Sequence, residues 1–509
     1  MSDDPPDDPP ENQPEDQTEA IAFLSDPRTH GGAAVERVDT HISRLFLAGD
    51  RAWKMKRAIR TNYLDFSTLD RREASCRREL EVNAAAGDLY LGVTPVVRGA
   101  DGLRLGGPGA PVEWLVEMRR FDRAQELDRL CDRGALDRPT IERLADAAAA
   151  LHRAAPETPG FGDPAEVAAR IDQIAGALEA AGVAPDPVRA WRRAAEAARA
   201  AEATLIERRR RLGRVRRCHG DLHLGNVVLL DGRPTPFDAI EFNEAIASID
   251  VLCDLALALS DLLARGRADL ANALLNRYLG ATRDHGGLAL LPLFLSMRGA
   301  VRAMTAAARG DRAEAMARLD LAAAWLRPGP PPRLVAVGGR SGTGKSTLAR
   351  SLAPRLAPGC GAIVLRSDVI RKRLLGVAPE ARLGPEAYSE AISRKVLARL
   401  AWDARRTLRQ GCAVVLDATF LDPSWRACAA AVAAGAGAEF AGLWLDLPAA
   451  EAAQRIEGRI GDASDATPDL ALRQSLRGGL EAGWRPVDAG GPPQDMTARA
   501  ARALGLPEA

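Results

Sequence analysis

The segment Gly339-Arg340-Ser341-Gly342-Thr343-Gly344-Lys345-Ser346 constrains this chain more than any other. It fits GxxxxGK(S/T), a run whose glycines let successive backbone N–H groups wrap an anion. The apolar run Leu334–Val337 reads as a strand before it, and a helix is expected from about Ser346, with Thr347 in its first turn. A helix N-terminus adds partial positive charge to such a loop, which makes it a seat for phosphate. Lys345 is spaced to meet the β and γ phosphates and Ser346 to hold Mg²⁺, so ATP and Mg²⁺ are the expected cofactors. Only five of the 69 basic residues are lysines: Lys54, Lys56, Lys345, Lys372 and Lys395. Where a phosphate must be met by a compact charge, an ammonium is hard to replace by guanidinium. Chance survival suffices for Lys395.

Apolar runs at 362–365, 413–416 and 440–445 follow, separated by helical periodicity. That alternation predicts an α/β domain over 334–509, with a parallel sheet flanked by helices. The Pro/Gly run at 327–333 reads as a linker in front of it. In its motifs this part resembles the small-molecule P-loop kinases, a group that includes gluconate kinase, chloramphenicol phosphotransferase and polynucleotide kinase. The resemblance implies that Asp368, after the second strand, orients or deprotonates the acceptor hydroxyl. It also implies that Asp417, at the tip of the third, supports the Mg²⁺ shell or the substrate. Arg455 and Arg459 share one helix face at i, i+4 and precede a lid-like stretch at 461–466. Lid arginines stabilise charge on the transferring phosphoryl group. Arg371, Lys372 and Arg373 read equally well as contacts for an anion or as a solvated helix face.

The first part of the chain carries a second constellation. Cys218-His219-Gly220-Asp221-Leu222-His223-Leu224-Gly225-Asn226 contains HxDxxxxN, the spacing of a kinase catalytic loop. That chemistry needs a carboxylate to receive the acceptor proton, here Asp221, and an amide five residues on to hold the metal, here Asn226. Asp238, in Phe237-Asp238-Ala239, is the second metal ligand. Val227–Leu230 and the Asp231-Gly232 turn read as a hairpin bringing the two ligands together.

With these residues, the region resembles the aminoglycoside phosphotransferase family of kinase-like enzymes, over about residues 30–320. The resemblance implies an α+β, bilobal kinase-like fold over 19–326, a mixed lobe before a helical one. Lys54 and Lys56 alternate onto one face of a strand, so either can be the phosphate-binding lysine, and Lys54 is preferred. Glu79 on the next helix is its expected partner, with Glu73 second. Val116-Glu117-Met118 is the expected adenine hinge; Asp250 and Asp254 resemble the family's helix-start acids after the metal loop, and Asp250 is expected to brace the catalytic loop rather than to react. No GxGxxG covers the phosphates and no APE segment appears, unlike a protein kinase.

Composition excludes several classes. A formal net charge of +1 lacks the basic excess of a dedicated nucleic-acid binder. No run of 18 apolar residues stands out; the best stretches, near 251–265 and 428–447, are interrupted by Asp or Glu. Seven scattered cysteines without a CxxC pair suit reduced thiols in a cytoplasm. Residues 1–18 form an acidic, Pro-rich tail expected to lack order. The sequence therefore reads as a cytoplasmic, ATP-dependent phosphotransferase with two kinase-type domains acting on small hydroxylated acceptors. The alternatives are an ATP-binding regulator with one degenerate domain, or polynucleotide kinase activity in the second part.

Overall fold

The computed structural model describes residues 15–61, 64–378, 381–457 and 464–507. Most of the acidic tail, residues 1–14, lies outside them. Its last residues are ordered: Gln17 is buried and donates to the Lys56 backbone oxygen and to Glu113 Oε2, both at 2.7 Å. A buried amide with two acceptors is a fixed one, so order begins before residue 18. The chain divides into two compact units, Met1–Glu166 with Glu207–Ala258, and Val167–Ile206 with Leu259–Ala509.

In the first unit, six strands form an antiparallel sheet: β1 (Val35–Asp39), β2 (Ser43–Ala48), β3 (Arg51–Lys56), β4 (Tyr90–Gly99), β5 (Gly102–Leu105) and β6 (Ala110–Arg119). Their order is β1-β2-β3-β6-β4-β5, so β3 is interior, with Lys54 opposite Val116 of β6. The expected hinge residues 116–118 lie within β6, and the strand leaves the sheet only after Arg119. The helix Leu69–Val82, capped by Thr68, buries Arg72, Ser75, Cys76 and Glu79. Those positions share one face by helical spacing, yet the face is mostly polar and needs partners rather than an apolar bed.

Four short strands follow: β7 (Val215–Arg217), β8 (Val227–Leu230), β9 (Arg233–Pro236) and β10 (Ser248–Asp250). β8 and β9 form the expected hairpin, Val227 pairing with Pro236. Its turn residues Asp231 and Gly232 both have positive φ (48° and 74°), as a two-residue type I′ connection requires.

In the second unit, β11 (Arg333–Gly339), β12 (Ile363–Arg366), β13 (Val414–Asp417), β14 (Glu439–Asp446) and β15 (Trp484–Asp488) pair in parallel in the order β12-β13-β11-β14-β15. Val335, Val337, Leu348, Leu352, Val415, Leu443 and Leu445 form the core between the sheet and its helices. The strand carrying the glycine loop is thus central and flanked on both sides. Helices on both sides of the 327–333 run belong to this unit. Asn272 donates to the backbone oxygens of Cys360 and Ala362 at 2.6 and 2.9 Å, and Asn276 Oδ1 accepts from Val364 N at 2.7 Å. Asn276 thus satisfies a backbone N–H of edge strand β12, and Asn272 holds two carbonyls of the chain just before it. The helical segment His285–Ala308 is long and apolar enough to cross a membrane by composition, with mean hydropathy 1.3, and 72% of that window is buried inside the structure. None of the seven cysteines is in a disulfide.

Candidate active sites

The first site is built where β3, the helix Leu69–Val82 and the loop after β9 meet. Lys54 and Lys56 point to the same side of β3, as residues two apart in a strand must. Glu79 serves both: Oε1 accepts from Lys54 Nζ at 2.7 Å, and Oε2 from Lys56 Nζ. Lys54 also pairs with Asp238, and Lys56 with Glu241. Burial works against charge on Lys54, but Asp238 and then Glu79 outweigh it and hold its pKa well above the ordinary value. Burial likewise opposes ionisation of Asp238, and Lys54 overrides it, leaving that carboxyl below its usual range. Glu73 is turned to the surface, paired with Arg77 one turn on.

The catalytic-loop residues lie together. Asn226 Nδ2 donates to the backbone oxygen and to Oδ2 of Asp221, each at 3.0 Å. The amide nitrogen is therefore committed inward, and Oδ1 is the atom left to meet a cation. His223 Nδ1 accepts from Gly225 N at 3.0 Å, and Nε2 stands 3.6 Å from Asp221 Oδ2. His219 Nε2 donates to Phe237 O at 2.9 Å, which ties the loop to the segment bearing Asp238. Asp238 itself has φ 61°, an uncommon backbone state for a non-glycine residue, and its N–H is held by Tyr90 Oη at 3.0 Å.

The brace of the loop is Asp254, not Asp250. Asp254 is fully buried and accepts from Gly220 N at 2.8 Å, His219 N at 3.3 Å and His152 Nε2 at 3.0 Å. Asp250 precedes the helix Val251–Ala264, accepts from Leu252 N at 2.8 Å and pairs with Arg209 at 2.6 Å. The two acids lie four residues apart, but only the one inside the helix reaches the loop. His152, Cys218 and Asp254 also cluster closely enough to ligate a metal. Both Asp254 oxygens already accept hydrogen bonds, so that cluster is accounted for without one.

The second site is built on the turn from β11 into the helix Lys345–Leu352. Gly339, Gly342 and Gly344 have φ of 144°, 93° and 91°. A Cβ on Gly342 would come within 2.2 Å of Ala452 O, so both conformation and space require glycine there. Gly342→Ala is expected to distort the loop, costing nucleotide affinity at this site and lowering the melting temperature by several degrees. Calorimetric melting with a parallel binding titration checks this.

Arg340 O organises the loop, accepting from Thr343 Oγ1 at 2.9 Å and Lys345 Nζ at 2.6 Å. Ser346 Oγ donates to Asp417 Oδ2 at 2.6 Å. Thr347 is exposed on the next position of the helix. Ser341 N donates to Gln474 Oε1 at 2.7 Å, so an oxygen already sits on one loop amide.

Arg366, which no sequence motif marks, reaches the two oxygens expected to meet a cation: Nε to Asp417 Oδ2 at 3.1 Å and Nη2 to Ser346 Oγ at 2.9 Å. Asp368 follows it. Burial first, then the nearby charge of Asp417, raises the pKa of its carboxyl above the ordinary value.

The basic run 371–373 is not a solvated face. Lys372 is buried and 3.3 Å from Asp465, Arg373 pairs with buried Asp403 at 3.0 Å, and the Arg371 guanidinium lies 4.5 Å from the Tyr388 ring centre. Charges this far from water need partners, and each has one. Arg455 donates to Gly491 O at 3.4 Å from the helix Ala449–Glu457. Arg459 and residues 461–463 of the expected lid lie outside the described residues.

Both donor sets suit a hard divalent cation bound with a nucleotide: an amide oxygen and a carboxylate at the first, a hydroxyl and a carboxylate at the second. A kinase-like lobe and a parallel-sheet phosphate loop in one chain define a phosphotransferase with two kinase-type domains. The model of the phosphotransferase enzyme family matches residues 64–291, and that of an AAA domain matches residues 334–478.

The chain belongs to the same family as the uncharacterized protein Rv2004c of Mycobacterium tuberculosis. The two are 30% identical over 475 residues, 89% of this chain and 92% of the relative. An uncharacterized protein of Mycobacterium bovis matches to the same degree. Among solved structures, a gluconokinase from Sinorhizobium meliloti 1021 is 24% identical, covering 34% of this chain and 92% of its own, with TM-score 0.25. A choline/ethanolamine kinase family protein from Mesorhizobium loti is 17% identical, covering 61% and 98%, with TM-score 0.35.

Proposed function

We propose that each domain transfers the γ-phosphoryl group of ATP to a hydroxyl of a small acceptor molecule. The observation that carries this reading is Lys54 bonded at once to Glu79 and Asp238, residues from three separate elements. A buried ammonium held on two carboxylates is poised to give one up to a phosphate while the other keeps it in place.

At the first site, Lys54 holds the nucleotide phosphates, Asn226 Oδ1 and Asp238 would hold Mg²⁺, and Asp221 receives the proton of the acceptor hydroxyl. The new bond forms between that oxygen and the γ-phosphorus as the bond to the β–γ bridging oxygen breaks, and ADP leaves. At the second site, the amides of Gly339–Ser346 and Lys345 cradle the phosphates. Ser346 and Asp417 would hold the cation, Asp368 takes the acceptor proton, and Arg455 and Arg459 are the candidates to offset charge on the transferring group. Bound Mg²⁺ supplies charge neutralisation at the β and γ oxygens in both. The chain's own contribution is placement and fixed charge.

The direct test is transfer from γ-labelled ATP to a panel of small alcohols, sugars and amino alcohols, run on the full chain. A labelled acceptor whose formation is lost in Asp221→Asn or in Asp368→Asn assigns it to one site. ATP turnover that no acceptor accelerates would count against the reading.

The raised pKa of Asp368 gives a pH signature. A base held protonated to higher pH loses function earlier on acidification, so the acid limb of second-site kcat/KM is expected above the ordinary Asp value of about 3.9. By linkage the same shift makes the folded state lose stability as pH rises through that pKa, because the native form holds the proton more tightly. An acid limb at the ordinary value would remove Asp368 as base.

A further inference from the structure

We propose that Lys56 and Glu241 form a positioning pair for the first site, setting Glu79 and Asp238 so that Lys54 and the metal ligand meet a nucleotide together. This rests on the reading of Lys54 and Asp238 given above. Lys56 is fully buried, as is Glu79, and Glu241 is nearly so. A second lysine in this position is not needed to bind phosphate, since water and ligand cannot reach it. It is also too costly to bury unless its charge is used.

Its contacts show what it joins. Lys56 Nζ donates to Glu79 Oε2 and Glu241 Oε1, and lies 5.5 Å from the Phe66 ring centre. Glu241 Oε1 also accepts from Ser75 Oγ at 3.2 Å. Ser75 and Glu79 are one turn apart on the helix Leu69–Val82, so the pair holds that helix at two successive turns. Glu241 in turn lies three residues after Asp238.

The segment between them is pinned residue by residue. Asp238 N is held by Tyr90, Ala239 N donates to Asn83 Oδ1 at 2.9 Å, and Ile240 N donates to His219 O at 3.0 Å. The Glu241–Lys56 pair closes this run, on the strand that also presents Lys54. With Oε2 of Glu79 occupied by Lys56, only Oε1 is left for Lys54, which fixes the direction in which the Lys54 ammonium points. The cluster holds two ammonium groups, Lys54 and Lys56, against three carboxylates, Glu79, Glu241 and Asp238. The five groups together carry one net negative charge, and Asp238 is their partly exposed member. That is where a divalent cation is wanted.

The test measures Mg²⁺-dependent binding of a non-hydrolysable ATP analogue to the full chain, in a Lys345→Ala background that silences the second site. The double variant Lys56→Met/Glu241→Gln removes one charge of each sign and leaves no buried ion unpaired. It is expected to keep its melting temperature near that of the parent, while the Mg²⁺ half-saturation rises by about tenfold or more, the usual size of an outer-partner loss.

Lys56→Arg, which can still bridge two carboxylates, is expected to restore most of the binding. Glu241→Asp, which keeps the charge but shortens the arm, is expected to shift Mg²⁺ half-saturation in the same direction even if the double variant folds poorly. A purely structural role would weaken binding alike with and without Mg²⁺. If the double variant and Glu241→Asp bind as the parent does while Lys54→Met is weakened, the positioning role is overturned and the site reading stands. If Lys54→Met also binds as the parent does, both fall together.

Discussion

Asp221→Asn is expected to lower phosphoryl transfer at the first site by about 10²–10⁴-fold, the span that general-base removal covers. Nucleotide affinity should stay nearly unchanged. The loop does not depend on this carboxylate for its shape. Its amides at His219 and Gly220 are held by Asp254, and Asn226 Nδ2 also donates to the backbone oxygen of residue 221, which the substitution preserves. An asparagine oxygen can still accept from Asn226, so only the ability to take a proton is lost. Single-turnover transfer from labelled ATP, with binding of a non-hydrolysable analogue measured alongside, separates the two effects. A transfer rate equal to the parent's would remove Asp221 as the base.

The second large effect is expected from Lys345→Ala. Its ammonium donates to Arg340 O at 2.6 Å, a bond the loop can lose because Thr343 Oγ1 donates to the same oxygen. Gly339 N remains tied to Thr419 O at 3.0 Å. The loop should keep its shape while its one compact cation is gone. Transfer at this site should then drop by about 10²–10³-fold, the size seen for loss of one preorganised electrostatic contact. First-site binding, measured by the same titration, should not change. Loss at both sites would mean that the two are coupled.

These expectations draw on features that were unequally visible in the sequence. The phosphate loop was legible because local chemistry dictates it: three glycines at positive φ, a strand before, a helix after. The HxDxxxxN spacing was legible for the same reason, since Asp221 and Asn226 meet within one turn of chain. The partnership of Lys54 with Glu79 could be anticipated from strand alternation and the helix that follows.

Contacts that depend on folding at long range were not legible. Glu241 meets Lys56 across 185 residues, and no periodicity marks it. Arg366 looks like an ordinary strand-end residue until Asp417 and Ser346 converge on it. Asp250 and Asp254 have the spacing of one helical turn, and only the position of the helix start, after Asp250, decides which one braces the loop.

Five strands carry too little signal to read, for physical reasons, and two of them, β7 and β10, have only three residues each. β5 has four residues, and β1, an edge strand reading Val-Glu-Arg-Val-Asp, lacks the period-two alternation that marks a half-buried strand. β15 carries Pro486 and lies at the other sheet's edge, where proline is tolerated. The polar buried face of the helix Leu69–Val82 gave no apolar stripe to read, although it positions the cluster of Lys54, Lys56, Glu79, Glu241 and Asp238.

Whether both halves bind nucleotide as working kinase sites is decided by calorimetric titration of the full chain with a non-hydrolysable ATP analogue and Mg²⁺. Two sites are expected, one lost in Lys345→Ala and the other in Lys54→Met. A single site, lost in Lys345→Ala and untouched by Lys54→Met, would contradict the account and leave the first domain without a donor.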